Sequence, residues 1–151
     1  MSAAPQALIF DLLEQTDHPL LKRSLAAVAL DPDAFAALFY AKVFESKPGM
    51  RVLFPADMAQ QRMKLIQTLG VVIASIDSPD ALVPVLRQLG AAHRGYGAKT
   101  VHYQFVADAL IAALSETLGP EWSPDMELAW QRLLQWVSMH MIAGADAANR
   151  A

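Results

Sequence analysis

The stretch "LGAAHRGYG" (residues 89–97) places a histidine at the end of a leucine-rich helix pattern, directly before two glycines. His93 follows Leu82, Leu86 and Leu89 at intervals that put all four side chains on one helical face. His93 is therefore expected to point toward the protein interior. The glycines predict that the helix ends there and the chain turns.

The rest of the chain carries the same helical periodicity, and strand-like alternation is missing. Three helix starts share one design, in which a capping Asp or Ser precedes a proline and an acidic residue. They are "DPD" (31–33), "SPD" (78–80) and "SPD" (123–125). The pattern predicts helices over about 19–29, 32–46, 57–76, 80–94, 100–118 and 124–143, with a short extra helix at 6–15. This is an all-α chain, divided into an N-terminal extension (1–18) and one domain (19–151).

The amino-acid composition of the chain argues against several classes of function and cofactor. The chain has 151 residues, of which 54 % are apolar, enough for one domain with a real core. A net charge of −3 gives no electrostatic reason to expect nucleic acid. Without cysteine there can be no disulfide, iron–sulfur cluster or thioether-linked haem. We see neither a signal peptide nor a membrane-spanning run, so a cytoplasmic setting without membrane association is expected.

Considered alone, His93 allows two interpretations. It is either a buried or helix-capping histidine, which the face by itself favours, or a neutral imidazole that binds a haem iron from the proximal side. Three other features bear on the choice: Tyr40 in "LFYAKVF" (38–44), Phe54 in "RVLFP" (51–55), and the pair Gln61 and Leu65, one helical turn apart in "QQRMKLIQTLG" (60–70). Each is singly explained by ordinary packing or surface exposure.

Taken together, these stretches resemble a known family. With "HY" at 102–103, "LG" at 118–119 and "AW" at 129–130, the chain is similar to bacterial single-domain globins of the type related to the haem domain of flavohaemoglobins. The similarity covers about residues 20–143. The separation between Tyr40 and Phe54, and that between Leu65 and His93, agree with the family pattern. The resemblance implies the globin fold, three helices over three, around a haem pocket.

The resemblance also implies roles for individual residues. His93 would be the proximal iron ligand, with its other ring nitrogen oriented by the Leu89 carbonyl, which is available near the helix end. Phe54 would stack on the haem edge, while Tyr40, Gln61 and Leu65 would form the distal pocket. Gly70 would allow close approach to the helix of residues 32–46. The whole set of expected haem contacts is His93, Phe54, Tyr40, Gln61, Leu65, Lys64, Leu89, Val101, Tyr103 and Phe105.

One position departs from the family pattern. Flavohaemoglobin-type globins carry a glutamate in the last helix that acts with the proximal histidine and a tyrosine. Tyr103 matches that tyrosine, but the glutamate position falls at about Ala145, beside the shorter Asp146. Strong dioxygenase or peroxidase-like activity is therefore doubtful. The other histidines, His18, His102 and His140, are expected to be solvated (His18) or to lie at the surface or in helix packing.

Three functions remain open. The favoured one is reversible binding of oxygen, and of nitric oxide or carbon monoxide, at a five-coordinate iron of non-covalent haem b, with a Tyr40 and Gln61 pair as hydrogen-bond donors. The alternative is an enzyme that converts nitric oxide to nitrate, or reacts with peroxide, using a separate reductase because 151 residues leave no room for a flavin domain. A haem-free signalling module is the weakest. The chain is expected to be a monomer or a homodimer.

Overall fold

The computed structural model describes the backbone of residues 16–95 and 97–150, and side chains through residue 148. Within these ranges the chain is helical and contains no strand. The six α-helices are α1 (Asp17–Val28), α2 (Pro32–Ser46), α3 (Ala59–Ala74), α4 (Pro79–Gly95), α5 (Thr100–Leu118) and α6 (Pro124–Arg150). Two short 3₁₀-helices, Pro48–Leu53 and Gly119–Glu121, join α2 to α3 and α5 to α6. The helix predicted at 6–15 lies outside the described residues.

The helix starts predicted from the sequence have a visible cause. The Asp31 carboxylate accepts a hydrogen bond (3.3 Å) from the Ala34 N–H, and the Ser123 hydroxyl oxygen accepts one (3.1 Å) from the Met126 N–H. Each bond satisfies one of the N–H groups that a helix leaves without a partner in its first turn. The prediction for α6 was too short, because the helix continues to Arg150 with no break at residue 143.

The most extensive contact between helices joins α4 to α6, and α1 also packs on α6. The next largest contact joins α2 to α5. The predicted all-α fold is confirmed, because the described residues form helices and no strand. Its core is centred on Trp130 and Leu133 of α6, which are fully buried together with Leu86 of α4 and Leu114 of α5.

Two glycines allow α4 and α6 to cross closely. A Cβ atom added to Gly90 would collide with the backbone of Met141, and one added to Gly144 would collide with the backbone of Arg87. At these two glycines the backbones of α4 and α6 touch each other, and a larger side chain at either position would hold the helices apart. The prediction for Gly70 was wrong: a Cβ there would meet no atom within 4 Å. The close approach in this fold belongs to Gly90 and Gly144.

A charge pair with a buried carboxylate connects the start of α1 to α6. The Asp17 side chain is only 4 % exposed, and both of its oxygens accept hydrogen bonds from Arg132 Nη1, at 3.1 and 3.2 Å. Charge-assisted bonds of this kind are stronger than neutral ones and offset the cost of burying the carboxylate. The two residues are 115 positions apart in the sequence, which is why the sequence pattern did not reveal their pairing.

Candidate functional site

His93 lies near the C-terminal end of α4, where its ring is held by the helix itself. Nδ1 is 2.7 Å from the Leu89 carbonyl oxygen, one turn earlier. Because a carbonyl can only accept, Nδ1 carries the proton and the lone pair of the neutral ring is on Nε2. Leu82 and Leu86 are fully buried on the same face, while Leu89 and His93 are half-buried. This orientation of the ring by Leu89 is the geometry predicted from the sequence.

The turn after α4 requires glycine. Gly97 has φ +93°, a left-handed conformation that side chains strain, and an added Cβ would lie 3.2 Å from Leu53 Cδ2. The N–H groups of Gly97 and Ala98 donate to the carbonyls of Arg94 and His93, both at 3.0 Å. The C-terminal end of α4 is thereby closed, and the chain reverses into α5 directly beyond His93.

Four aromatic rings gather where α2 meets the first 3₁₀-helix. Tyr40 contacts Phe39 edge-on with centroids 4.8 Å apart, and Phe54 edge-on at 5.6 Å. Phe44 lies 5.3 Å from Phe54 and stacks beside Tyr40 at 6.1 Å. Arg51 holds the corner by donating to backbone carbonyls, including the Pro55 carbonyl at 2.9 Å. The Tyr40 ring is therefore packed against three other aromatic rings.

Tyr40 and Gln61, which were predicted to act as a pair, are neighbours. The Tyr40 hydroxyl donates to the backbone carbonyl of Gln61 at 3.5 Å, the long limit of a hydrogen bond. Tyr40 is 8 % exposed, and burial raises the pKa of its phenol, an effect that the bond to Gln61 partly opposes. The hydroxyl therefore keeps its proton at neutral pH. Leu65, one turn after Gln61, is half-buried beside the core.

The remaining expected haem contacts are spread around this framework. Lys64 is exposed on α3, and Val101 is 58 % exposed at the start of α5. Phe105 is half-buried, with the Lys47 Nζ atom 4.2 Å from its ring centroid in cation–π contact. The structure thus joins Tyr40, Phe54 and Gln61 in one cluster, and Leu89 with His93 in another.

The first cluster combines residues of α2, of the corner at Phe54 and of α3, whereas the second lies on α4. Within the described ranges, α3 packs on α2 and α1, and α4 packs on α6, but α3 and α4 share no extensive contact. Leu65 of α3 and Leu89 of α4 are both half-buried. An imidazole oriented through Nδ1 and, in a separate cluster, apolar rings with one hydroxyl donor are the kinds of group that a haem iron and its porphyrin require.

A polar cleft lies between the end of α4, the start of α5 and the later part of α6. Tyr103 lines it together with Arg94, Ala145 and Asp146. Burial raises the pKa of the Tyr103 phenol, so the hydroxyl is a donor at neutral pH. The structure therefore brings Tyr103 together with the two α6 residues at which the family glutamate was sought. Arg94 was not singled out from the sequence, because a charged residue next to a helix end is ordinarily solvated.

The other histidines have structural partners. The prediction that His18 is solvated was wrong: its side chain is 13 % exposed and its Nδ1 lies 2.7 Å from Asp77. Hydrogen bonds from Lys22 and His18 lower the pKa of the Asp77 carboxyl. His102 caps α5, accepting at Nδ1 from the backbone N–H three residues earlier at 3.0 Å. His140 is 3 % exposed, so packing rather than surface exposure explains it.

No group of three or more His, Cys, Asp or Glu side chains in the described part of the chain is arranged to hold a metal ion. Among the same residues no single helix is long and apolar enough to cross a membrane. The pair α1 and α2 meets that length and composition criterion only together, and it is bent by 101°.

Comparison with known proteins places the chain among characterised relatives. A family model described as "Globin" matches residues 37–141. A flavohemoprotein of Bacillus subtilis is 26 % identical over 124 residues, and one of Rhizobium meliloti is 24 % identical over 122 residues. These alignments cover 80 % and 79 % of this chain but 31 % and 30 % of the relatives. The chain therefore spans about a third of the length of the curated relatives it matches.

Solved structures give close matches to the fold. An engineered carbene transferase made from a Rhodothermus marinus protein assigned as a nitric oxide dioxygenase is 27 % identical, with a TM-score of 0.81. That match covers 91 % of this chain and 96 % of the other. A bacterial globin from Campylobacter jejuni is 16 % identical, with a TM-score of 0.80 and coverage of 91 % and 99 %. The second likeness shows the fold alone.

Proposed function

Because this chain belongs to the globin family, we propose that it is a haem protein that binds oxygen reversibly, with His93 as the iron ligand and with Tyr40 and Gln61 as hydrogen-bond donors. The observation that carries the proposal is the 2.7 Å contact between His93 Nδ1 and the Leu89 carbonyl. It fixes the tautomer that a metal-ligating histidine needs and holds the ring in place. Haem b, bound without covalent attachment, is the cofactor proposed.

The haem iron, when bound, supplies the affinity for a diatomic gas; the chain supplies the surroundings. Phe54, Leu65 and Leu89 provide apolar surface against a porphyrin, and Val101, 58 % exposed, would be covered by it. The same surface excludes water from the ligand. In such surroundings a hydrogen bond is stronger than in water.

Tyr40 is the residue that distinguishes among ligands. Its present bond to the Gln61 carbonyl is long at 3.5 Å, so exchanging it for a bond to a polar ligand costs little. Because its pKa is raised by burial, the phenol acts as a donor and not as an anion. The Gln61 side-chain amide is the second proposed donor. A polarised oxygen ligand accepts such bonds more strongly than carbon monoxide does.

Stopped-flow measurement of oxygen and carbon monoxide dissociation tests this mechanism. A hydrogen bond worth about 1–1.5 kcal/mol corresponds to roughly a tenfold change in affinity, which appears mainly in the dissociation rate. Tyr40→Phe should therefore speed oxygen release about tenfold and leave carbon monoxide release nearly unchanged. Gln61→Leu should act in the same direction, non-additively with Tyr40→Phe if both donors share one acceptor.

The matched control is Gln104→Leu, which removes an exposed side-chain amide from α5, outside both clusters. It should change oxygen release far less than Tyr40→Phe. If Tyr40→Phe leaves oxygen release unchanged, or slows it, Tyr40 is not a donor. Haem binding is tested separately: a ferrous carbon monoxide spectrum typical of a histidine-ligated haem is expected, and its absence would overturn the proposal as a whole.

Nitric oxide dioxygenation with a separate reductase is the second candidate. It is favoured by the 27 % identity to the Rhodothermus marinus protein over nearly the whole chain. Mixing the oxygenated protein with nitric oxide measures a single turnover directly. Repeated turnover in a cell extract, dependent on added NADH, would support enzymatic function. A single turnover without re-reduction would support oxygen binding as the main activity.

A further inference from the structure

The connector between the first 3₁₀-helix and α3 (residues 54–58) leaves helical geometry at Phe54. Phe54 is extended, with φ −120° and ψ 153°, as is usual for a residue before proline. Carbonyl groups beyond a helix end have no helical N–H partner, and Pro55 has no N–H of its own to offer. The carbonyl oxygens of Phe54, Pro55 and Ala56 therefore need donors from a side chain or from solvent.

Arg51 supplies these donors from the end of the 3₁₀-helix. Its Nη1 donates to the Phe54 carbonyl at 3.3 Å and to the Pro55 carbonyl at 2.9 Å, and Nη2 donates to the Ala56 carbonyl at 3.1 Å. The guanidinium carbon also lies 5.2 Å from the centroid of the Phe44 ring, within cation–π distance. One half-buried side chain thus connects three successive peptide groups to an aromatic ring of α2.

We propose that Arg51 is a positioning residue of the oxygen site, which fixes Phe54 and, through the Phe54 ring, the hydroxyl of Tyr40. The Phe54 ring contacts Tyr40 edge-on with centroids 5.6 Å apart, and it contacts Phe44 edge-on at 5.3 Å. Phe44 is also the ring over which the Arg51 guanidinium lies. A displacement of the Phe54 backbone would therefore move a ring that packs directly on Tyr40.

The chemistry of a guanidinium suits this role. Its donors form a rigid planar fork that can hold several carbonyls in one arrangement, whereas a lysine ammonium is a point charge on a flexible stem. Arg62 and Arg132 each bind a carboxylate. Arg51 instead donates its hydrogen bonds to uncharged backbone carbonyls. Its function is therefore to shape the connector and not to neutralise an acid.

The consequence for ligand release rests on the proposed role of Tyr40. A donor is effective only while it is held within about 0.5 Å of its productive position. Without Arg51 the connector and the Phe54 ring gain freedom, so the Tyr40 hydroxyl spends less time in that position. We expect Arg51→Gln to speed oxygen release about threefold, less than the roughly tenfold effect of Tyr40→Phe, because the donor is displaced part of the time and not removed.

Hydrogen–deuterium exchange of the protein as purified, followed by mass spectrometry with labelling times from milliseconds upward, tests the positioning without a gaseous ligand. In Arg51→Gln the amides of residues 54–62 should exchange several-fold faster, while those of α6 exchange as in the parent protein. Unchanged exchange at 54–62, or faster exchange throughout the chain, would overturn the proposal. Arg23→Gln removes an exposed guanidinium from α1 and should change neither region.

Stopped-flow measurement of oxygen release tests the path through Tyr40. Arg51→Gln should speed release in the parent protein and hardly at all in a Tyr40→Phe background, because both substitutions then act on the same hydrogen bond. Equal effects in the two backgrounds would refute the path. Arg51→Lys should restore the parent rate only in part, and full restoration would show that charge alone is sufficient. If Tyr40→Phe itself has no effect, the proposed donor fails, whereas the exchange measurement still decides whether Arg51 fixes the connector.

Discussion

Substitution of Gly90 by alanine tests the crossing of α4 and α6 most directly. In an exposed helix alanine is more favourable than glycine by about 1 kcal/mol, so propensity alone predicts stabilisation. The close crossing of α4 and α6 at Gly90 predicts destabilisation instead. The new Cβ would lie 2.6 Å from Met141 Cα, whereas non-bonded carbons prefer about 3.5–4.0 Å. The Met141 carbonyl oxygen is closer still, and backbone cannot rotate away as a side chain can, so the helices must separate locally by more than about 1 Å.

The magnitude follows from these opposing terms. Overpacking of a close-packed region costs about 1–3 kcal/mol, and a collision with backbone belongs at the upper end of that range. After the propensity gain is subtracted, Gly90→Ala should destabilise the protein by about 2 kcal/mol, or roughly 4–8 °C in Tm. His93 lies one turn later on α4, so haem release should also accelerate.

Thermal unfolding followed by far-ultraviolet circular dichroism, at fixed protein and haem concentration, measures the effect. Gly70→Ala is the matched control, because the added Cβ meets no atom within 4 Å. It should stabilise the protein by up to about 1 kcal/mol, or about 2–4 °C. Opposite signs for the two variants are the expected result. If Gly90→Ala raises the Tm as Gly70→Ala does, the close crossing does not exist in solution.

Three further perturbations test the site and its supports. His93→Gly should cause loss of haem that added imidazole restores, and a full complement of haem with an unchanged ferrous carbon monoxide spectrum would contradict its role as ligand. Asp17→Ala should cost about 1.5–3 kcal/mol because Arg132 loses a charge-assisted partner, and an unchanged urea midpoint would show that the pair contributes nothing. Burial and the nearby Arg87 charge lower the pKa of His140, so the unfolded chain takes up that proton first and stability decreases as pH falls below about 6.5. His140→Leu should therefore lose less stability between pH 7 and pH 5 than the parent protein, and an equal loss would refute this account.

Much of the fold follows from local signals that the sequence displays. Asp31 and Ser123 lie before prolines at helix starts and cap them as predicted. The leucine spacing before His93 identified the inward face of α4, and the helix end supplied the Leu89 carbonyl that orients the ring. These features depend on residues within about four positions of one another, so periodicity and capping rules are sufficient to find them.

Features that depend on distant parts of the chain were not predictable in the same way. A glycine within a helix signals close approach, but the sequence does not say to what: Gly70 was assigned a contact that it does not make, while Gly90 and Gly144 make one. His18 appeared solvated because its partner, Asp77, is 59 positions away. The cleft at Tyr103 combines three helices, and a single helix pattern cannot reveal it.

The bond between Asp17 and Arg132 also limits when the domain can complete its fold during synthesis. During synthesis α1 leaves the ribosome long before α6 exists, and at 5–20 residues per second the intervening 115 residues take about 6–23 s. Throughout that interval α1 lacks α6, the helix with which it makes its most extensive contact in the finished protein. The pairing of α1 with α6 is therefore a late step in the folding of this domain during synthesis.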